Sequence, residues 1–317
     1  MQQEGIYHVP VLLQEVISGL QIDPSGIYVD CTFGGGGHSR GILQQLNSNG
    51  KLIAFDQDED AIKNLPTDDR VIFIPHNFRH LQRFLRFHKI SKVNGILADL
   101  GVSSHQFDVA ERGFSTRYNA SMDMRMNQGE KLNAANIINN YPEEKLHRLF
   151  EQYGEVTNAK TLAKIIVQLR KSQSLNTINE FKNALYPVVK GNPEKYFAKV
   201  FQALRIEVND EFGALKEMLL QVPDVLEEGG RIAVITFHSL EDRIVKNFFK
   251  NGNFNEVQEN DLYGTLSKNN LKVITKKPVI PSREELKNNP RSRSSKLRIA
   301  EKIKVSNKIS ELKMNYR

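Results

Sequence analysis

The sequence predicts an α/β protein, a Rossmann-like sheet interrupted by an all-α insert. Three observations point to it. Apolar runs rich in β-formers alternate with amphipathic stretches from residue 27 to residue 99. The first run, Ile27-Tyr28-Val29, feeds directly into Asp30-Cys31-Thr32-Phe33-Gly34-Gly35-Gly36-Gly37-His38-Ser39, a strand end, a glycine turn and a helix start. Between about 106 and 209 the alternation gives way to helical periodicity, and a β-rich run at 231–236 resumes the sheet.

Taken in order, Pro10 stands near the start of a helix whose Leu12, Leu13, Val16, Ile17 and Leu20 share one face. That helix is expected to pack on the sheet and wall one side of a ligand site. Strand one is expected over 27–31, a helix carrying Ile42, Leu43 and Leu46 over 38–47, strand two over 51–56 and a short helix over 58–64. Strand three, 71–74, leaves through His76-Asn77-Phe78. The helix 79–89 then carries Arg79, His80, Arg83, Arg86, His88 and Lys89, a basic face suited to nucleic acid. Strand four ends on Asp99 and runs into Leu100-Gly101-Val102-Ser103-Ser104. Helices follow at 142–151, 159–170, 177–186 and 193–209, the last with a core stripe of Phe197, Val200, Phe201, Leu204 and Val208. Residues 226–230 read as a helix end and turn before strand five, 231–236, which exits through Phe237-His238-Ser239. Extended runs at 271–276 and 295–301 suit a closing antiparallel pair, with Pro278, Pro281 and Pro290 marking the loop between them.

The glycine turn is where such folds seat nucleotide-like ligands. Glycine lets the backbone approach a ligand with no Cβ in the way, and the helix start offers unpaired N–H groups. Dinucleotide spacing places glycines at i, i+2 and i+5, and Ser39 or Arg40 falls at the third place. Asp30, ahead of the glycines, suits a ligand with an ammonium group beside its carboxylate. S-adenosylmethionine (SAM) has that group and NAD does not. Asp56 ends the next apolar run about 20 residues on, where an acid accepts from ribose hydroxyls. The bland alternative is a glycine turn with no ligand. Asp99 ends a central strand, where α/β enzymes keep their chemistry. His238 leaves strand five on the same edge, either to take a proton or touch base or phosphate, or to make a structural hydrogen bond. Phe78 could border a flat heterocycle or sit in the core, and Cys31 could be a nucleophile or a small buried residue.

Composition bounds the rest. With 317 residues, 39% hydrophobic and 26% charged, the chain has the make-up of a soluble globular protein. One cysteine excludes an intramolecular disulfide and multi-cysteine metal sites. The N-terminus lacks a signal-peptide pattern, and no apolar run reaches membrane-spanning length. A cytoplasmic protein without metal or membrane partner is expected. From Arg291 to Arg317 nine basic residues face Glu301 and Glu311, an excess equal to the whole chain's +7. Such a tail suits a polyanion, or is simply solvated.

Several runs also resemble the MraW family. They are His8-Val9-Pro10-Val11-Leu12-Leu13, the glycine run at 30–39, Asp99-Leu100-Gly101-Val102-Ser103-Ser104, Ala110-Glu111-Arg112-Gly113-Phe114-Ser115 and Met122-Asp123-Met124-Arg125-Met126. Phe201-Gln202-Ala203-Leu204-Arg205-Ile206, Phe237-His238-Ser239-Leu240-Glu241-Asp242-Arg243 and Asn289-Pro290-Arg291-Ser292-Arg293-Ser294-Ser295 complete the series, which runs in order from about 8 to 302.

The resemblance implies a seven-stranded class I SAM-dependent methyltransferase with a helical insert, acting on cytosine N4 in the decoding centre of 16S ribosomal RNA within the small ribosomal subunit. It implies methyltransferase segments at 1–105 and 210–302, an RNA-recognising insert at 106–209, and a basic extension, 303–317, outside the pattern. Carried over by position, Gly36, Gly37, His38, Asp56, Phe78, Asp99 and Gln106 would bind SAM. The cytosine-N4 and adenine-N6 DNA enzymes carry an Asn/Asp/Ser-Pro-Pro-aromatic motif where this chain has Asp99-Leu100-Gly101-Val102, so their catalytic contacts cannot be copied.

The chemistry needs no nucleophile on the enzyme, because a sulfonium methyl is already electrophilic. It needs cytosine N4 aligned and its charge relieved. Asp99 is the leading acceptor for N4–H, or else contacts the cofactor alone; His238 is the candidate for the released proton. Ser103 and Ser104 could orient the base, which must be splayed from the RNA to reach a recessed pocket. Arg112, Arg125, Arg243, Arg291 and Arg293 are candidate phosphate contacts. Alternatives are a SAM enzyme acting on DNA or protein and a non-catalytic ribosome-assembly protein. Monomer and homodimer both stay open.

Overall fold

The structure, a computed structural model, describes residues 10–254 and 270–303. His8 and Val9 of the lead-in run, and the basic extension after Ile303, lie outside the described residues. The chain divides into two compact units. One comprises Met1–Asp56, Leu65–Gly101 and Lys216–Arg317; the other comprises Gln57–Asn64 and Val102–Leu215.

The chain opens with α1 (Leu13–Leu20), β1 (Ile27–Asp30), α2 (Gly37–Leu43), β2 (Lys51–Phe55), β3 (Val71–Ile74), α3 (Leu81–Phe87) and β4 (Val93–Asp99). Helices α4 (Ser104–Asp108), α5 (Ala134–Asn140), α6 (Glu143–Gln152), α7 (Ala159–Leu169), α8 (Ile178–Leu185) and α9 (Pro193–Asn209) follow. Within α10 (Glu211–Val225) the chain returns to the first unit at Lys216. There it forms β5 (Leu226–Thr236), α11 (Ser239–Asn251), β6 (Leu271–Val273), α12 (Arg283–Asn288) and β7 (Lys296–Lys302).

The first unit holds one seven-stranded sheet in the order β3-β2-β1-β4-β5-β7-β6. The first five strands in that order run parallel, and β7 runs antiparallel to β5 and β6. Central parallel strands are covered on both faces, so they read as unbroken apolar runs. Leu52 to Phe55 and Ile96 to Ala98 are accordingly fully buried. Helix α1 buries Val16 and Leu20 in a cluster with Ile42, Leu97, Ile235 and Ile299. Burying one such side chain contributes about 1.5–3 kcal/mol. The strand order reverses between β1 and β4, the crevice in which open α/β sheets bind ligands. Register pairs Asp30 with Leu97 and Asp99 with Ile235, so the carboxyl ends of β1, β4 and β5 meet along one edge.

Residues 226–230, expected as a helix end and turn, are instead carried into β5. Helix α10 stops at Val225, and pairing steps from Val93↔Leu226 to Gly95↔Arg231. The extra residues bulge outward, with Glu227, Glu228 and Gly229 exposed and Gly229 at φ +80°. Turn chemistry is thus spent on a bulge inside a strand. The closing antiparallel pair forms, with Leu271 opposite Lys302.

The second unit is helical among its described residues, apart from an isolated bridge between Ser121 and Thr177. Its core gathers Phe150, Leu162, Ile166 and Phe181 with the full predicted stripe of α9, from Phe197 to Val208. Capping boxes at Asn133 and Thr177 start α5 and α8. Among the described residues no helix is long and apolar enough to cross a membrane.

Candidate active site

The turn after β1 is shaped by its own residues. Gly36 caps α2 at φ +72°, a conformation that favours glycine, and its N–H donates to the Phe33 carbonyl at 2.7 Å. A Cβ on Gly37 would stand 2.4 Å from Pro10 Cγ, so only glycine lets the lead-in pass there. At Gly35 an added Cβ meets nothing within 4 Å, and the residue is exposed. The turn therefore offers open backbone.

Asp30 does not serve the ligand role expected for it. Its Oδ1 accepts from Thr32 N at 3.0 Å, its Oδ2 accepts from Ser39 Oγ at 2.7 Å, and the residue is 1% exposed. Burial raises its carboxyl above the usual range. It braces the turn from inside. Thr32, which sequence reasoning missed, links two acids: its hydroxyl reaches Asp30 Oδ1 at 3.4 Å and accepts from Asp99 N at 2.7 Å. Cys31 is buried, and burial pushes its thiol well above its ordinary value, so it is a packed residue and not a nucleophile.

Asp99 and His38 meet at the end of β4. His38 Nε2 lies 2.9 Å from the Val11 carbonyl, and its Nδ1 lies 3.5 Å from Asp99 Oδ2. Asp99 Oδ1 is buried with no hydrogen-bond partner among the described residues. An orphaned acceptor of this kind is costly unless something else meets it. The Asp99 carboxyl is pushed up to about 6, chiefly by burial; His38 opposes the shift, and the negative charges of Asp30 and Glu241 add to it. Glu241 is a second residue that sequence reasoning passed over. It is 2% exposed, and its Oε2 accepts from Phe237 N at 3.0 Å.

His238 caps α11: its Nδ1 accepts from Glu241 N at 3.3 Å, and its Nε2 lies 3.1 Å from Glu241 Oε1. Asp56 Oδ2 accepts from Gly34 N at 2.7 Å, tying the second acid to the glycine turn. Phe78 is half-buried and opens the short turn leaving β3.

Gln106 belongs to the second unit. There its amide donates to Asp58 Oδ2 at 2.7 Å, and its Oε1 accepts from Ser103 N at 3.1 Å. Ser103 Oγ closes the same capping box. Arg112 and Arg125, expected at phosphates, are spent on the protein. Arg112 is 6% exposed, with its guanidinium on Asp58, Asp60 and the carbonyls of Arg125 and Met126. Arg125 grips Asp123 through two bonds, and it donates to the Gln128 and Glu130 carbonyls. Arg243, Arg291 and Arg293 are exposed. Among the described residues no group of three or more His, Cys, Asp or Glu side chains could hold a metal ion.

Comparison with known proteins adds a family to this geometry. The model of the MraW methylase family matches residues 5–303. A Bacteroides thetaiotaomicron protein named Ribosomal RNA small subunit methyltransferase H is 52% identical over 95% of this chain and 99% of its own length. The protein of the same name from Flavobacterium johnsoniae is 54% identical over 94% of this chain and 98% of its own. Among solved structures, TrmN from Thermus thermophilus aligns with a TM-score of 0.42 at 12% identity, covering 92% of this chain and 48% of that one.

Proposed function

The chain belongs to the MraW methylase family, and on that premise we propose that it transfers a methyl group from S-adenosylmethionine to the exocyclic N4 of a cytosine in the decoding centre of 16S ribosomal RNA. The observation that carries this reading is the buried Oδ1 of Asp99, without a hydrogen-bond partner among the described residues, beside an open glycine turn. When bound, S-adenosylmethionine supplies an electrophilic methyl group on a sulfonium.

The donor set fits that ligand. The turn at Gly36, Gly37 and His38 would hold its polar end, Asp56 would accept from its ribose hydroxyls, and Phe78 would border its adenine. For Gln106 the assignment rests on the family resemblance alone. Within the protein the acid Asp56 is preset by its bond to Gly34 N.

Asp99 acts on the acceptor base. Cytosine N4 gains positive charge as it is alkylated and must release a proton. Asp99 Oδ1 accepts the N4–H hydrogen bond, which strengthens as that charge grows, and then takes the proton. Asp99 Oδ2 faces His38 Nδ1, so the imidazole shares the proton and holds the carboxyl in place. We assign the proton to this pair in preference to His238, whose Nδ1 is engaged as a helix cap. The helical region 106–209 serves as the clamp on RNA shape, and the small ribosomal subunit in the cytoplasm is the partner.

Incubating small subunits and naked 16S RNA with labelled donor, then identifying the product nucleoside by mass spectrometry, tests the reading. N4-methylated cytidine is the expected product. Label on DNA or protein, or on another base, overturns it.

A further inference from the structure

A cleft of about 410 Å³ opens in the first unit beside the exit of β5, a size within the range of small-ligand sites. Its lining includes the apolar Phe237, Ile280, Pro281 and Leu286. Ile280 is 64% exposed there, a large aliphatic side chain left to water at the rim of a concavity. The same lining carries the polar and basic Ser294, Arg293 and Lys296. Arg293 is exposed and has no hydrogen-bond or ion-pair partner among the described residues. Lys296 lies 3.6 Å from Asp242 Oδ2, but that carboxylate is already gripped by Arg298 at 2.6 and 3.1 Å. Two cations therefore line the same cleft as four apolar side chains. The ligand class that pairs a flat ring with an anion is a nucleotide.

The position relates the cleft to the target base. Asp99 pairs with Ile235, and Leu100 N donates to the Ile235 carbonyl at 3.0 Å. Phe237 lies two residues past Ile235, just beyond the end of β5 at Thr236. With strands about 4.8 Å apart and a rise of about 3.3 Å per residue, the backbone of Phe237 stands roughly 8 Å from that of Asp99. That is the reach of one nucleotide from a base held at Asp99.

We propose that this cleft seats the nucleotide adjoining the target cytosine, its base against Ile280, Pro281 and Phe237 and its phosphate against Arg293 and Lys296. The proposal rests on the RNA substrate argued above. It adds that the strand is splayed by gripping a second base as well as the target.

A fluorescence-anisotropy titration tests it, using a single-stranded RNA oligonucleotide centred on a cytosine, with the full chain saturated in S-adenosylhomocysteine. Arg293→Ala is expected to weaken binding at least fivefold and to flatten its salt dependence. An abasic nucleotide on one side of the cytosine is expected to weaken wild-type binding several-fold, yet to cost Ile280→Ser nothing further. S-adenosylhomocysteine affinity should be unchanged in both variants, which separates the cleft from misfolding. Unaltered RNA affinity in both variants, or an equal abasic loss in wild type and Ile280→Ser, overturns the cleft assignment. If wild type fails to methylate rRNA, the proposed function falls; if it methylates while the variants bind RNA normally, only the cleft does.

Discussion

His38 Nδ1 stands 3.5 Å from Asp99 Oδ2 while its Nε2 lies 2.9 Å from the Val11 carbonyl. A carbonyl only accepts, so Nε2 carries the hydrogen and Nδ1 alone is left for the carboxyl. The two groups can engage only with one proton between them. His38 holds the Asp99 carboxyl below where burial alone would put it, the net position being about 6. Methyl transfer should therefore fall as pH drops through about 6, because an already protonated Asp99 cannot take the proton that N4 releases. His38→Gln removes the opposing charge and should move that acid limb to higher pH. Initial rates from pH 5 to 8 at saturating donor read this directly. A limb that stays put or moves down excludes the pairing.

The same shift makes a stability claim. A carboxyl raised in the fold binds its proton more tightly folded than unfolded. Between its ordinary value near 3.8 and about 6, this group's contribution therefore declines as pH rises. Asp99→Asn removes the penalty. The variant should be more stable than wild type at pH 7.5, by on the order of 2 kcal/mol, and by less at pH 5. Transfer should drop at least about 100-fold, the usual scale for losing a general base. Denaturant unfolding at both pH values, set beside the rates, checks the pair of effects. Equal stability gains at the two pH values contradict it.

Local patterning carried the sheet and the glycine turn, because strand ends, glycines and helix starts are written in adjacent residues. It did not carry the partners. Asp30 read as a ligand contact because its spacing to the glycines suits one. Only the path of the turn shows that Ser39 Oγ and Thr32 N already fill its oxygens. His38 finds its acceptor 27 residues upstream, at a backbone carbonyl that leaves no mark in the sequence. Glu241 reaches the Asp99 site through the pairing of β4 with β5, a contact that spacing cannot disclose. Arg112 and Arg125 were read by charge. Charge says what a side chain can bind, and burial decides whether it is available.

Arg112 carries the next expectation. Its guanidinium and Asp58 are each 7% exposed at 2.8 Å, and Asp60 shares the same fork at 3.0 Å. Arg112→Met leaves Asp58 buried and uncompensated, which should cost about 3–5 kcal/mol. Arg112→Lys should recover only part of this, since a point charge cannot meet two carboxylates and two carbonyls as a planar fork does. Thermal unfolding of the three proteins ranks them. A neutral Arg112→Met variant would mean the segment Gln57–Asn64 is held by something else.

Two neighbouring glycines separate fold from binding. Gly36 sits at φ +72°, and a Cβ there would stand 2.9 Å from the Phe33 ring. Gly36→Ala should therefore destabilise the chain by about 1–2 kcal/mol through the left-handed backbone, plus whatever Phe33 must give. Gly35 is exposed, and its added Cβ meets nothing within 4 Å, so Gly35→Ala should leave the unfolding midpoint where it is. Yet Gly35 directly precedes Gly36, Gly37 and His38, the residues assigned to the ligand, and a methyl group there would hold the donor off the turn. Calorimetric titration with S-adenosylhomocysteine should find at least tenfold weaker binding to Gly35→Ala despite its unchanged melting curve. Wild-type affinity in that variant would move the ligand off this turn, because no fold defect could be masking the contact.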